Sequence, residues 1–87
     1  TLDGLQQFFK DLDLVITEGY KKENKPKIEV ARAARHADVL LKADRNLVAV
    51  VSDMDLKLKV PVFGLEDIDR LADFIEETYL LRLKIDE

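Results

Sequence analysis

Glu18 stands where a short apolar run, Leu14-Val15-Ile16-Thr17, gives way to Gly19-Tyr20-Lys21, and Asp53 follows a second run, Leu47-Val48-Ala49-Val50-Val51-Ser52. A carboxylate at the carboxyl end of a buried strand, beside a glycine and several cations, is how α/β proteins place a metal or phosphate ligand. Glu18 could hold a magnesium ion directly or through water, with Gly19 letting the backbone pass close to a phosphate. The competing reading is a solvated loop acid beside Lys21. The cations Lys21, Lys22, Lys25 and Lys27 could clamp an anion, because flexible point charges neutralise phosphate without demanding a fixed geometry. They could equally be a charged loop that keeps the chain soluble. Asp53 could accept two hydrogen bonds from the N1–H and exocyclic amine edge of guanine, a donor pair adenine lacks. Asp55, two residues on, could do so instead, and the plain alternative is an Asx turn ending the strand.

Other chemistries are excluded by what is missing. There is no cysteine, so disulfides and thiolate zinc sites are out, and the single His36 cannot form a cluster. His36 lies among alanines and arginines and reads as a surface residue. Any metal would be a hard cation on oxygen ligands. The three glycines stand apart at 4, 19 and 64, so neither G-x-x-x-x-G-K-[ST] nor G-x-G-x-x-G occurs. This chain alone has no phosphate cradle. Phe8, Phe9, Phe63, Phe74, Tyr20 and Tyr79 are spaced as packing residues rather than as a row interleaved with cations, which argues against an RNA-binding sheet.

The elements that must position these residues fit one domain of 87 residues, 47% hydrophobic and 37% charged: too apolar for a disordered chain and too charged for a membrane one. No stretch approaches a bilayer span and the amino terminus lacks the order of a signal peptide, so no membrane role and a cytoplasmic location are expected. The net charge of −4 is uneven: residues 20–45 carry eight Lys/Arg against four Asp/Glu, the remainder six against fourteen. A cationic patch on an acidic protein points to a small anionic ligand or an acidic partner more than to nucleic acid, which ranks last because the rest of the chain is acidic.

Along the chain, Thr1 and Asp3 offer N-cap oxygens and Leu2, Leu5, Phe9 and Leu12 keep helical spacing, which predicts a helix over 3–11. Leu14–Thr17 reads as a strand covered on both faces, and Glu18–Pro26 as a loop. Lys27–Ala31 alternates polar and apolar, predicting a strand with one wetter face at a sheet edge. Residues 32–46 have good helix formers without a stripe and predict a helical turn or two. Leu47–Val51 is a buried, parallel strand. Val60–Phe63 is a short one whose proline belongs near an edge. From Leu65 the spacing of Ile68, Leu71, Ala72, Ile75 and Tyr79 is helical, with Glu66, Asp67 and Asp69 suited to the positive end of its dipole. Leu81–Ile85 alternates with period two and could be helix or terminal strand. The sum is an open α/β layer protein, with ligands expected at the carboxyl ends of the strands.

Five ordered blocks then give a resemblance. Glu18-Gly19-Tyr20-Lys21 after an apolar strand, Pro26-Lys27-Ile28-Glu29-Val30, Leu47-Val48-Ala49-Val50-Val51-Ser52-Asp53, Pro61-Val62-Phe63 and Leu71-Ala72-Asp73-Phe74-Ile75 together resemble the carboxyl-terminal half of the MobB family, the molybdopterin-guanine dinucleotide biosynthesis protein B. The resemblance implies a partial P-loop NTPase-like layered fold, mostly parallel with flanking helices, over residues 1–87. It implies a GTP-binding adapter that assists a MobA-like nucleotidyltransferase in attaching GMP to molybdopterin, and a homodimer or other homo-oligomer. Glu18 would correspond to the acid of the Walker B-like strand and to the magnesium ligand, with Gly19 beside it. Lys21 would be the family's lysine in the same loop, and Asp53 the acid after the later strand. The departure is the missing Walker A strand, loop and helix. GTP and Mg2+ are therefore expected only with that half supplied, and the chain by itself should bind GTP poorly and hydrolyse none. No family role is carried onto the segment between Val30 and Leu47. The competing function is a stand-alone α/β interaction module without nucleotide binding, docking a partner through its basic loop or an exposed sheet edge.

Overall fold

The computed structural model of the chain describes residue 4 and residues 13–19, 22–35 and 38–80. Four strands, β1 (Val15–Thr17), β2 (Lys27–Ala31), β3 (Leu47–Ser52) and β4 (Val62–Phe63), hydrogen-bond in chain order, and every neighbouring pair is parallel. Helix α1 (Ile68–Ile75) follows β4 and runs into a π-helical turn, Glu76–Leu80. This is the α/β layer and parallel sheet that the apolar runs predict. The expected helix over 3–11 and the ambiguous 81–85 stretch lie outside the described residues, apart from Gly4.

Strand alternation sorts the side chains onto two faces. On one, Ile28, Val30, Ala49 and Val51 meet Leu71, Ala72 and Ile75 of α1, with Leu14, Ile16, Phe63 and Phe74 around them. Phe63 and Phe74 pack with ring centroids 5.7 Å apart. Ile28, Leu71 and Ile75 are fully buried, each worth about 1.5–3 kcal/mol relative to exposure. On the other face, Ala31, Leu47 and Val50 pack with Val62 of β4 and are covered by connecting segments, Val39 and Leu41 from one and Met54, Leu56, Leu58 and Val60 from the chain leading to β4. Residues 54–60, irregular with bends at both ends, alternate half-buried apolar with exposed polar side chains, a pattern that lays them on the sheet without a ladder of their own. A register shift pairs Lys27 with Leu47 but Ile28 with Ala49, so Val48 is the extra residue of a bulge. That bulge lets Leu47 and Val50, three apart, reach the same cluster.

Three expectations need correction. Strand β2 is central, between β1 and β3, and all five of its residues are buried. Its polar side chains are not wet; they are satisfied by loops. The Glu29 carboxylate accepts the backbone N–H groups of Leu40 (2.8 Å) and Leu41 (2.7 Å). The Lys27 ammonium donates to Asp44 Oδ2 at 2.9 Å and to the Glu23 carbonyl. Strand β1, expected to be covered on both faces, is half-buried at an edge of the described sheet. Residues 32–46 contain, where described, only single turns, closed from Arg35 to Arg32, Asp44 to Leu41 and Leu47 to Asp44. The amides of Val39, Leu40 and Leu41, which a helix would need, go instead to the carboxylates of Asp38 and Glu29. Strand β4 sits at the other edge, as its proline requires, with the Pro61 carbonyl accepting from Val50.

Helix α1 starts from a tight turn. The Asp67 amide donates to the Gly64 carbonyl at 3.0 Å, and Asp67 Oδ2 accepts from the Gly64 amide at 3.3 Å. A Cβ at Gly64 would meet the Glu66 carboxylate at 2.7 Å, but that is the far end of an exposed, flexible side chain that can move aside, so the corner does not demand glycine.

Candidate functional site

Because all four strands point the same way, their carboxyl ends form one edge, and the residues just past them are Glu18 after β1, Arg32 after β2 and Asp53 after β3. Two adjacent residues tie this edge together. Arg32 donates from Nη2 to Glu18 Oε1, and the Ala33 amide donates to Asp53 Oδ1 at 2.9 Å. Glu18 and Asp53 thus lie on one rim, each linked to the same dipeptide. Side-chain exposure is 41% for Arg32 and 29% for Glu18, so the pair is accessible from solvent. The Arg32 Nε is buried and has no hydrogen-bond partner.

The backbone on either side is held by hydroxyls. Thr17 Oγ1 accepts from the Gly19 amide at 3.1 Å and donates to the Gly19 carbonyl at 2.9 Å, a local turn that fixes where β1 hands over to Glu18. Ser52 Oγ donates to the Ala31 carbonyl at 2.6 Å and accepts from the Met54 amide at 2.9 Å. The turn ending β3 is therefore made by Ser52, and Asp53 reaches across to β2's exit instead of capping its own backbone. Around Gly19 the space where a Cβ would lie is open among the described residues. Packing there does not explain the glycine.

The expected cation cluster is divided. Lys21 lies outside the described residues, as does His36. Lys22 is exposed, and Lys25 pairs with Asp13 at 3.1 Å; the Asp13 hydrogen bond and charge raise the Lys25 pKa. Lys27 is sealed at 1% exposure in its pair with Asp44, which takes it out of any anion clamp. Asp55 is exposed, like Asp53. Arg32 is the residue that sequence reasoning passed over. Its signal was positional: it is the first residue after β2, as Glu18 and Asp53 are the first after β1 and β3.

Among the described residues no three His, Asp or Glu side chains gather to hold a metal. Magnesium often takes only one or two carboxylates and draws its other ligands from phosphates and water. A lone Glu18 with one oxygen turned to Arg32 suits that habit, provided the pair can open. A cavity of about 280 Å³ lies elsewhere, against Leu47 at the start of β3, between Lys42, Lys57 and Lys59. It opens at the amino end of the sheet and is not part of this rim.

The family model described as "Molybdopterin guanine dinucleotide synthesis protein B" matches residues 1–53, a stretch that closes on Asp53. The chain belongs to the MobB family. It is also 42% identical over 67 residues to the molybdopterin-guanine dinucleotide biosynthesis adapter protein of Escherichia coli (strain K12). That match takes in 76% of this chain and 38% of the relative, so the chain spans about two-fifths of the length of that MobB protein. No solved structure matches the chain. Among the described residues no helix is long and apolar enough to cross a membrane.

Proposed function

We propose that this chain is the carboxyl-terminal part of a MobB-type GTP-binding adapter in molybdenum cofactor biosynthesis, assisting a MobA-like nucleotidyltransferase in attaching GMP to molybdopterin. One observation carries the reading: in a chain of this family, the acids after β1 and β3 share a rim through Arg32 and Ala33. Ligands of open parallel sheets bind outside the carboxyl ends of the strands. Glu18 would serve the metal on a nucleotide's phosphates. Asp53, which accepts the Ala33 amide on Oδ1, would serve the guanine edge. Gly19 leaves room for a phosphate to approach the backbone, and Lys21 would add charge in the same loop. GTP and Mg2+ are the ligands this set fits, once a Walker A half supplies the backbone amides and lysine that cradle the phosphates.

In this reading residues 1–87 form half of a P-loop domain, and the outer edge of β1, unpaired among the described residues, is where further sheet could add. The adapter would work as a homo-oligomer. Calorimetric titration tests the assignment. The 87-residue chain should show no saturable GTP binding, and a polypeptide that adds the Walker A half should bind Mg-GTP and be captured by a MobA-like nucleotidyltransferase. Micromolar GTP affinity of the 87 residues alone, or no affinity with both halves present, would overturn it.

A further inference from the structure

We propose that Arg32 is a phosphate-binding residue, held in a pair with Glu18 until a nucleotide's phosphates reach the rim. The inference rests on the nucleotide reading above and adds a residue that this reading does not use. Glu18 is asked to hold a cation, yet the cation it holds here is the Arg32 guanidinium. A carboxylate whose charge is already met by arginine must give up that partner to hold a metal, and the arginine must then find another anion.

Three features make the exchange feasible. The pair is half-open to solvent, so separating it does not strand a charge in the interior. Arg32 meets Glu18 through Nη2 alone, while its Nε is buried and unpartnered, an arrangement that leaves the guanidinium fork unfinished. Planar, two-pronged recognition of phosphate is what an arginine fork does better than a lysine. The Arg32 backbone is also fixed in place. The neighbouring Ala33 amide is bonded to Asp53, and β2 is locked on both sides by parallel ladders, so the side chain can turn without the rim shifting.

The exchange predicts opposite signs for the two members of one ion pair. In the full-length polypeptide carrying these residues, binding of inorganic tripolyphosphate without metal should fall about tenfold or more in Arg32→Ala, the size expected for a charge-assisted hydrogen bond. It should rise severalfold in Glu18→Gln, which releases the guanidinium. Arg32→Lys, which keeps the charge and the fold, should still lose severalfold because the fork is gone. In the double variant the gain from Glu18→Gln should vanish, since it acts through Arg32. If the Glu18→Gln gain survives in the Arg32→Ala background, the gain is a general charge effect and the proposal fails. It fails too if Arg32→Lys binds as tightly as the wild type, or if both single variants weaken binding alike, as a structural pair would. A wild type that binds neither tripolyphosphate nor Mg-GTP overturns this proposal and the nucleotide reading together, whereas a wild type that binds both with Arg32 indifferent overturns this proposal alone.

Discussion

Strand β2 meets a carboxylate with a cation at both ends: Lys27 at its start is sealed against Asp44, and Arg32 just past its finish is half-exposed against Glu18. In the first pair the lysine is sealed and Asp44 keeps 23% exposure, with the Glu23 carbonyl taking a further ammonium proton and the Asn46 amide bonding the other Asp44 oxygen at 2.8 Å. The second leaves a buried donor without a partner and its guanidinium within reach of solvent. The same chemistry does different work at the two ends. A pair with a buried, doubly bonded lysine fixes a loop; one with an exposed, singly bonded arginine is available to a ligand. Glu29, midway between them, belongs with the closed end, since both its oxygens are taken by backbone amides.

The sharpest way to break this contrast is at Glu29. Replacing it with alanine would leave the amides of Leu40 and Leu41 without their acceptor under the sheet, and urea unfolding should show a loss of about 3 kcal/mol. A loss well under 1 kcal/mol would mean that the loop is not held by this strand. Next is the asymmetry inside the closed pair. Asp44→Ala strands a buried ammonium and should destabilise clearly more than Lys27→Met, which removes the charge and should stay within about 1 kcal/mol of wild type. The reverse order would show that the lysine is not sealed.

Acid titration gives a third, smaller effect. The Asp44 carboxyl is held below its usual range first by the Lys27 hydrogen bond and then by the Asn46 amide, and Asp38 likewise by Lys42 and the Val39 amide. A depressed folded-state value means these groups stabilise fully above the unfolded carboxyl pKa of about 3.9 and lose that contribution as pH falls through the folded values. Melting temperature should therefore drop on acidification below about pH 4, and the slope should flatten in Asp44→Asn. An unchanged slope in that variant would remove Asp44 from the account. The smallest effect belongs to the open end. Arg32→Ala should change unfolding free energy by less than about 1 kcal/mol, as exposed ion pairs do. A much larger loss would place Arg32 in the framework with Lys27.

Much of this architecture is readable from residue order, and the failures share one cause. The unbroken run Leu47–Val51 announces a strand buried on both faces, Pro61 announces an edge, and the spacing from Ile68 to Ile75 announces the helix; all three stand in the structure. Strand β2 misleads because alternation reports polarity, not wetness. Lys27 and Glu29 look like a solvent face, yet each is buried by partners 17 and 11 or 12 residues away, a separation no local pattern displays. The same bonds explain why 32–46, rich in helix formers, is not helical where described, since Glu29 takes its amides. At the rim, Glu18 and Asp53 were visible as acids after apolar runs, while their connection through Arg32 and Ala33 exists only once β2 lies between β1 and β3.

Sheet order that copies chain order has a kinetic corollary. Among the described strands each docks beside the one immediately before it in the chain, the widest gap being residues 32–46, so none of these pairings has to wait for a distant segment. Such short closures lower the loop entropy that each parallel pairing must overcome, the term that otherwise makes parallel sheets slow to form. Among the described residues β1 has a single neighbour, so the strand that leads into Glu18 hangs on one ladder where β2 and β3 each hold two.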